Sequence, residues 1–546
     1  MKKLTSIFAV VLCLIIVATL CISCKDKTDD GIKDWEKNEI VKADSPLYRD
    51  YYHIFVYSFA DSNGDGIGDL KGIENKLDYI ADLGFNGIWL SPIHPAFTPT
   101  HKYDVLDYYG ISPDYGTMQD FDDLVSAAHE KGISIMLDLV INHTSHQHPW
   151  FLSAQQAYPN GTSPYSDYYT FNGSKTSYEK YEGNSQMPKL NLESEKVRAE
   201  LENMCKVWLK DHKVDGFRLD AAKHFYSTAT DSVKFMQWFM STAQKYNPDV
   251  YMVGEVWSGA NEVYRYYAED SVQSFFNFSL STAGGQNKLM LYLNQGQTSR
   301  ATKITDVLKS KEIGTAKGID ALFASNHDTS RIANTISYLN RTGEYDETKM
   351  ELHKMSIALL YTQTGNIFNY YGNEIGLRNG YTGNATPHYV DYPFRVAMNW
   401  DIESTSARNG EFASKAYGYN TYFGQHDDII GSVAEQKDDQ NSLLNFYRRV
   451  MLLRRQNPEI AQGTSTFIPY ADTDVLVLVR EYKNNKILMI YNLSSTESVD
   501  FDASDIISQY GLTGTLAGFL SSNNDRDVTL NGSTVNLPQF SVAVIR

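Results

Sequence analysis

The sequence predicts an α/β fold, a (β/α)8 TIM barrel with an inserted domain after its third strand and a C-terminal antiparallel β-sandwich. Eight short apolar runs recur along the chain, and each is followed by a polar loop and a helical pattern. The runs are rich in Val, Ile, Phe and Tyr without clean alternation, which is typical of parallel strands buried on both faces. Eight such strand–helix units indicate a closed barrel, whose site lies at the carboxyl ends of the strands.

The predicted strands are, in chain order, HIFVYSF (53–59), FNGIWLS (85–91), ISIMLDLV (133–140), VDGFRLD (214–220), VYMVGEV (250–256), SFFNFSL (274–280), ALFAS (321–325) and NIFNYYG (366–372). Amphipathic helices lie between them, such as 117–131, for which Thr117 and Asp120 form a capping pair. The apolar face of that helix holds Phe121, Leu124, Val125 and Ala128. A last helix over 442–456 closes the barrel.

Two connections are too long to be plain loops. Residues 143–191, after the third strand, form the predicted inserted domain, and residues 376–440, after the eighth, are similarly aromatic and polar. Long connections at this face of a barrel usually line a site. Further on, the runs VLVLVRE, ILMIYN, VDF and SVAVI predict the strands of the sandwich. The predicted domains are a barrel over 46–460 and a sandwich over 461–546.

The N-terminus predicts export from the cytoplasm. A basic start is followed by an apolar run over 7–20, which is short for a membrane span and typical of a signal peptide. The sequence CISC (21–24) resembles a bacterial lipobox, which implies a signal peptide over 1–23, lipidation of Cys24 and a flexible tether over 24–45. Simple cleavage without lipidation is the alternative.

The lipidation signal, the cysteines and the net charge indicate the compartment and the class of partner. Lipidation would anchor the protein outside the cytoplasm, at the cell surface or outer membrane, with the periplasmic face as an alternative. Cys205 is then the one unmodified cysteine of the mature chain, so no intrachain disulfide forms. The formal net charge of −17 excludes nucleic acid as a partner, because phosphate binding needs a basic face. An uncharged ligand is more compatible with this net charge than a polyanion is.

Carboxylates accumulate at the predicted strand ends. The third, fourth and fifth strands end in Asp138, Asp220 and Glu255, and Asp328 follows the seventh. Since the carboxyl ends of barrel strands meet at one face, these side chains are expected to converge there. Arg218 lies two residues before Asp220, on the same face of its strand, and keeps that acid ionised. Four converging acids cost electrostatic energy, so we expect a function to account for them.

Four segments carry a family resemblance. DLVINH (138–143), GFRLDAAKH (216–224), GEVW (254–257) and SNHD (325–328) resemble the four motifs of the α-amylase family, glycoside hydrolase family 13, in order and on the expected strands. HKYDVLDY (101–108), MPKLN (187–191) and YYGNEIG (370–376) resemble its secondary markers. The resemblance runs from about residue 52 to the C-terminus.

The resemblance implies a retaining glycosidase. Asp220 would be the nucleophile and Glu255 the general acid and then base, with a raised pKa, while Asp328 would stabilise the transition state. The implied substrate contacts are Tyr103, Asp104, His143, Arg218, Lys223, His224, His327 and Arg395. The chain departs from the family pattern at Lys102, where Gly is usual, and at Ile367, where Pro is frequent. Lys102 is expected to alter the floor of the site.

The loop DSNGDGIGD (61–69) follows the first strand. It is not an EF-hand, because Gly72 stands where the bidentate Glu is needed and no helix precedes the loop. It resembles the calcium loop of the oligo-1,6-glucosidase and neopullulanase branches of the family, which implies a structural calcium ion; a plain turn is the alternative. The implied ligands are Asp61, Asn63, Asp65, Asp69 and the carbonyl of Ile67. A second family calcium site would use Asn142 and the carbonyl of His224.

The expected substrates are starch and maltooligosaccharides. The Lys223-His224 pair resembles enzymes that act on α-1,4-linked glucans, whereas MPKLN resembles a branch that accepts both linkages. We therefore expect an endo-acting α-amylase similar to the lipid-anchored surface amylases of bacterial starch-utilisation systems, with other starch-uptake proteins as possible partners. The alternatives are a neopullulanase or α-1,6-acting glucosidase and, in another class, a non-catalytic starch-binding homologue.

Overall fold

The computed structural model describes residues 32–41, 44–283, 288–294, 299–339, 346–380, 392–401 and 431–546. The chain divides into two units, 1–39 and 40–546. In the first unit the described residues include one 3-10 turn, Asp34–Lys37. The predicted signal peptide, Cys24 and most of the tether lie outside the described residues. In the described ranges, no helix combines the length and apolar character that crossing a bilayer would need.

The predicted barrel is confirmed. The first ten strands are β1 Tyr51–Ile54, β2 Gly87–Leu90, β3 Ser134–Leu139, β4 Phe171–Ser174, β5 Ser177–Tyr178, β6 Gly216–Leu219, β7 Tyr251–Gly254, β8 Ser274–Phe276, β9 Ile319–Leu322 and β10 Asn366–Tyr370. Eight of them close a parallel barrel in the order β1-β10-β9-β8-β7-β6-β3-β2. All eight apolar runs predicted as strands contribute one barrel strand each, while β4 and β5 pair in the inserted segment.

In the described residues the α-helices are Leu70–Glu74, Leu77–Asp82, Met118–Glu130, Pro149–Ala157, Glu195–Cys205, Ala229–Gln244, Ala260–Val263, Lys288–Asn294, Arg300–Gly314, Ile332–Leu339, Glu347–Tyr361, Val433–Gln436, Leu443–Gln456, Glu459–Gln462 and Ser504–Tyr510. Thr117 and Asp120 form the predicted capping box. Ser442 caps the predicted closing helix, because its side chain accepts a backbone N–H three residues on. Local polar residues therefore set where these helices begin.

The barrel interior is packed with large aromatic side chains rather than left as a channel. Tyr51 on β1 stacks on Phe368 of β10 at 4.8 Å between ring centroids and on Tyr251 of β7 at 5.5 Å. Trp89 on β2 contacts Phe276 of β8. These rings fill the lower layers of the barrel, so the charged side chains at the strand ends rest on a rigid apolar floor.

The C-terminal region forms two antiparallel sheets, as predicted. Its strands are β11 Thr464–Ile468, β12 Val475–Tyr482, β13 Asn485–Asn492, β14 Val499–Asp502, β15 Leu516–Ser521, β16 Thr529–Asn531, β17 Thr534–Leu537 and β18 Ser541–Ile545. The sheet orders are β11-β12-β13-β18-β15 and β14-β17-β16. The four predicted apolar runs are β12, β13, β14 and β18. Of the strands that were not predicted, β11, β16 and β17 are short or rich in polar residues, whereas β15, with the sequence LAGFLS, is apolar and buried.

Candidate active site

The carboxyl ends of the barrel strands surround a cavity of about 640 Å³. Side chains from several strand ends and from the inserted segment line it: His101, Tyr103, His143, Tyr181, Glu182, Asn184, Met187, Asp220, Ala221, Lys223, His224, Glu255, Trp257, Asp328 and Arg395. Three of the four acids predicted to converge therefore meet at one cavity wall. Asp138 lies behind that wall, with 1% of its surface exposed.

One buried guanidinium holds three of the acids together. Nη1 of Arg218 donates to Oδ1 of Asp138 at 2.8 Å and to Oδ1 of Asp220 at 2.7 Å. Nη2 of Arg218 lies 2.9 Å from Oε1 of Glu255. The ring of Trp89 packs against the guanidinium from inside the barrel, 5.3 Å from its carbon. A single positive charge thus faces three acids, and the cluster approaches neutrality only when carboxyls hold protons.

Glu255 is the acid best placed to hold a proton. Burial raises the pKa of Glu255 to about 8, the charges of Asp220 and Asp328 act in the same direction, and Arg218 opposes them. The contact with Arg218 alone would lower this pKa, but the carboxyl is nearly enclosed and faces two other acids, so burial prevails. Oε2 of Glu255 accepts the N–H of Ala221 at 3.0 Å, which fixes the carboxyl beside Asp220.

Asp138 shapes the site from behind. Burial raises the pKa of Asp138 to about 7, with Arg218 opposing the shift. Its Oδ2 accepts the hydroxyl of Tyr103 at 2.9 Å. Since Asp138 has no face on the cavity, it acts through the two cavity-wall groups it holds, the phenol of Tyr103 and the guanidinium of Arg218.

Asp328 is held by a cation and a histidine. Nη2 of Arg395 donates to Oδ1 of Asp328 at 2.7 Å, and Nε of Arg395 donates to the carbonyl of His327 at 3.0 Å. Nε2 of His327 lies 2.7 Å from the Tyr103 oxygen and 3.1 Å from Oδ2 of Asp328. Burial lowers the pKa of His327 well below its usual range, so the ring is neutral. Because the Tyr103 hydroxyl donates to Asp138, we assign the His327 proton to Nε2.

The inserted segment supplies one wall of the cavity. The ring of Tyr181 stacks on His143 at 4.8 Å between centroids, and Nε2 of His143 lies 3.1 Å from the carbonyl of Tyr103. Nζ of Lys189, within MPKLN, donates to the carbonyl of His224 at 2.6 Å. An ammonium group therefore already binds the carbonyl expected to hold a second calcium ion, whereas the other expected ligand atom, Oδ1 of Asn142, is buried and accepts no hydrogen bond from the described residues.

The wall next to Glu255 carries an exposed aromatic face. Trp257 is 44% exposed and stacks on Phe278 at 4.8 Å, nearly parallel to it. Nζ of Lys223 donates to the carbonyl of Trp257 at 3.1 Å, and Nε2 of His224 lies 3.5 Å from a carboxylate oxygen of Glu182. A flat aromatic surface with hydrogen-bonding groups at its edge suits a sugar ring.

Two side chains of the loop before the inserted segment, those of Asp104 and Lys102, do not line the cavity. Both carboxylate oxygens of Asp104 accept hydrogen bonds from Thr98, and its contact with a sugar stays a prediction. The Lys102 side chain extends toward Ser112 and Asp114, so any effect of Lys102 on the site is indirect. Both residues hold the loop that carries Tyr103.

The other predicted contacts all lie in or against the cavity wall: Tyr103, His143, Arg218, Lys223, His224, His327 and Arg395. Sequence reasoning missed His101, Tyr181 and Trp257. Two of these carried a signal, because His101 lies in HKYDVLDY and Trp257 in GEVW. Tyr181 carried none, since only the fold of the inserted segment turns it onto His143.

The acidic loop 61–69 is a self-bonded turn. Both carboxylate oxygens of Asp61 accept backbone N–H groups of the loop, Asn63 Oδ1 accepts the N–H of Asp65 at 2.8 Å, and Asp65 Oδ1 accepts that of Ile67 at 2.7 Å. Asp69 caps the following helix at 2.6 Å. The donor set is all oxygen and fits a hard cation. In the described residues, no three or more His, Cys, Asp or Glu side chains are grouped to hold a metal, so calcium binding would also need Asn63 and the Ile67 carbonyl.

Comparison with known proteins agrees with this geometry. A family model described as "Alpha amylase, catalytic domain" matches residues 53–463. Alpha-amylase 3 of Dictyoglomus thermophilum is 35% identical over 485 residues, which cover 85% of this chain and 86% of that protein. A glucan 1,6-alpha-glucosidase of Streptococcus pneumoniae is 28% identical and is covered over 91% of its length by 82% of this chain. The solved structure of Eubacterium rectale Amy13B superposes with a TM-score of 0.80 at 33% identity, covering 94% of this chain and 97% of that one.

Proposed function

The chain belongs to the α-amylase family, glycoside hydrolase family 13, and from this membership we propose that it is a retaining, endo-acting α-amylase that cleaves α-1,4 bonds of starch and maltooligosaccharides. The observation that carries the proposal is a pair of neighbouring carboxyls, Asp220 and Glu255, that contact one buried guanidinium, that of Arg218, at the wall of the cavity. Burial raises the pKa of Glu255 to about 8, which suits a proton donor. A double-displacement glycosidase needs one carboxyl that donates a proton and a second carboxyl close to it that attacks the anomeric carbon.

In the first step, Asp220 attacks the anomeric carbon while Glu255 gives its proton to the leaving glycosidic oxygen. The C–O bond breaks, and a covalent glycosyl–Asp220 ester forms. In the second step, Glu255, now ionised, takes a proton from water as the water oxygen attacks the same carbon. Asp220 is released as a carboxylate and Glu255 is protonated again, so both groups return to their starting forms.

The remaining side chains hold the sugar and its developing charge. Asp328 is an acceptor for sugar hydroxyls, and its contact with Arg395 keeps it oriented toward the cavity. Burial lowers the pKa of His143 and of His327, so neither ring adds positive charge beside the oxocarbenium-like transition state, and their Nε2 atoms contact the carbonyl and the hydroxyl of Tyr103. Trp257, on the wall next to Glu255, is a stacking surface for the departing part of the chain.

A second candidate keeps the same chemistry with another linkage. A neopullulanase-like or α-1,6-acting enzyme is favoured by the MPKLN sequence and by the similarity to the glucan 1,6-alpha-glucosidase. The α-1,4 assignment is preferred because of the similarity to Alpha-amylase 3 and the Lys223-His224 pair. A non-catalytic starch-binding role is disfavoured by the presence of Asp220, Glu255 and Asp328 together.

We also propose the setting in which the enzyme works. Lipidation at Cys24 would anchor it outside the cytoplasm, at the cell surface or outer membrane, near other starch-uptake proteins. A structural calcium ion would bind the loop 61–69 through Asp61, Asn63, Asp65, Asp69 and the carbonyl of Ile67, where it would offset the loop's negative charge. These proposals rest on sequence motifs and on the donor chemistry of the loop.

A product profile tests the activity. The protein from residue 25 onward would be incubated with amylose, pullulan and isomaltooligosaccharides in parallel, and the released sugars separated by chromatography. A spread of maltooligosaccharides from amylose, with little from the other two, is expected. Panose from pullulan or glucose from the isomalto series would move the assignment to the second candidate. No product from any substrate would overturn the enzyme proposal.

A further inference from the structure

We infer that Lys102 is a positioning residue, whose buried ion pair with Asp114 holds His101 and Tyr103 against the catalytic cavity. The inference deepens the proposed glycosidase function and rests on it. His101 and Tyr103 both line the cavity, whereas Lys102 between them does not. Because Lys102 separates the two in the chain, contacts that fix Lys102 also fix where His101 and Tyr103 lie.

The backbone at Lys102 is held in an unfavourable conformation. Its φ of 60° lies in the left-handed region, which residues with a β-carbon rarely adopt. The turn directs the Lys102 side chain toward the barrel body while its two neighbours reach the cavity. Within the turn, the N–H of Tyr103 donates to Nδ1 of His101 at 3.0 Å. Such a conformation persists where the surrounding structure enforces it.

The enforcing contacts are made by the ammonium group. Lys102 is 1% exposed, and its Nζ lies 2.9 Å from Oδ2 of Asp114 and 2.8 Å from Oγ of Ser112. It also lies 4.5 Å from the ring centroid of Tyr115. A buried ammonium is tolerated only when it is paired and hydrogen-bonded, so these partners specify where the side chain must end.

The partners belong to a firmly attached part of the barrel. The N–H of Ser112 donates to the carbonyl of Ile93, just after β2, at 2.8 Å. The carbonyl of Tyr115 accepts the N–H of Leu70, at the start of a helix, at 3.0 Å. The turn 112–115 is thus a fixed anchor, and Lys102 connects the cavity loop to it.

Displacing this loop would reach the reacting groups through Tyr103. Its hydroxyl donates to Asp138 and contacts His327. Asp138 in turn shares the Arg218 guanidinium with Asp220. A small shift of Tyr103 would therefore disturb the nucleophile's neighbours, and misplacements of about 1 Å can cost roughly 10²-fold in rate.

The test compares two buried lysines. Lys102→Met removes the ammonium and keeps most of the side-chain volume. Lys311→Met is the matched control, because Lys311 is equally buried, lies 3.5 Å from Asp320 and does not line the catalytic cavity. Both variants are expected to lower Tm. Lys102→Met should also reduce kcat on maltooligosaccharides by about 10²-fold, measured well below either Tm, with Lys311→Met close to wild type.

A milder variant tests the same ion pair with less risk that the protein fails to fold. Asp114→Asn alters the partner that is 38% exposed and leaves Lys102 in place, so a loss of kcat in the same direction but smaller is expected. A kcat for Lys102→Met within twofold of wild type, or an equal loss in Lys311→Met, would overturn the inference. A wild-type enzyme inactive on every glucan would instead overturn the proposed function, which separates the two failures.

Discussion

Two arginines buried at opposite ends of the barrel meet different surroundings. At the carboxyl end, Arg218 contacts three acids, Asp138, Asp220 and Glu255. At the amino end, Arg454 contacts one acid, Asp50, at 2.9 Å, and donates three further hydrogen bonds to backbone carbonyls. The exposed fractions of the two arginine side chains are 1% and 2%.

The difference separates a reactive charge cluster from a structural one. Around Arg454 the acceptors are one carboxylate and three neutral carbonyls, so the charges balance. Around Arg218 the acids exceed the cations, so burial and mutual repulsion raise the pKa values of Glu255 and Asp138. An unbalanced buried cluster costs stability and yields a proton donor at neutral pH, as an acid–base catalyst requires.

The largest expected effect is at the nucleophile. Asp220→Asn should lower kcat on maltooligosaccharides by about 10⁴-fold or more, because an amide cannot form the glycosyl ester. Reducing-sugar release measures the loss, and calorimetry should find maltooligosaccharide still bound. Asp500→Asn, an exposed change on β14, is the control and should leave kcat unchanged. Substantial residual turnover would remove Asp220 from this role.

The second prediction concerns the proton on Glu255. Since its pKa is raised to about 8, kcat/KM should fall as pH rises through about 8 and the acid form is lost. In Glu255→Gln, kcat should fall by about 10²–10⁴-fold below pH 8, where wild-type Glu255 keeps its proton. An unchanged alkaline limb in the remaining activity of that variant would assign the titration to another group.

The same proton makes the stability depend on pH. The folded protein binds more protons than the unfolded chain between the ordinary carboxyl pKa near 4.5 and about 8, so the free energy of unfolding should decrease as pH rises through this window. Each pH unit corresponds to about 1.4 kcal/mol for one group. Glu255→Gln should flatten this dependence and be more stable than wild type at pH 8, measured by denaturant titration. Parallel curves would contradict the burial argument.

Breaking the balanced cluster should affect folding and not chemistry. Arg454→Met leaves Asp50 without its cation and three carbonyls without donors, so the free energy of unfolding should fall by about 3–5 kcal/mol. The kcat of the folded enzyme should stay near wild type, because the change lies at the far end of the barrel. A large drop in kcat at temperatures where the variant is folded would show that the two ends are coupled.

The acidic loop 61–69 is a third cluster of charges, to be compared with those around Arg218 and Arg454. In the described chain, no salt bridge involves Asp61, Asp65 or Asp69, so a bound calcium ion would supply the missing charge. Chelation should lower Tm, with a stability change of about 2.7 kcal/mol when free calcium exceeds Kd by 100-fold. Asp65→Ala should respond less than wild type. Equal shifts in both proteins would argue against calcium in this loop.

Sequence reasoning reached most of the fold because its signals are local. The eight apolar runs and the helices at 118–130 and 443–456 follow from hydrophobic pattern and capping residues, and the structure contains all of them. Short polar strands such as β16 and β17 carry little pattern of this kind. Segments 381–391 and 402–430 of the predicted long connection lie outside the described residues.

For the site, the sequence predicted which residues are present but not the directions in which their side chains point. It predicted that Asp220, Glu255 and Asp328 meet at the carboxyl end of the barrel, because each lies at or just after the end of a barrel strand. It did not predict that the Asp104 carboxylate bonds to Thr98 or that the Lys102 ammonium bonds to Asp114. Side-chain direction within a turn depends on φ and on distant partners, which a motif does not record.

By itself, the sequence determined the barrel, the family and the set of acids at the strand ends, since these follow from periodicity and short motifs. Only the tertiary structure decided how the acids share charge. Asp138 and Arg218 are 80 residues apart, and Tyr103 and His327 are 224 apart. The pKa of Glu255 depends on burial and on charges delivered by other strands, and those meet only when the barrel closes.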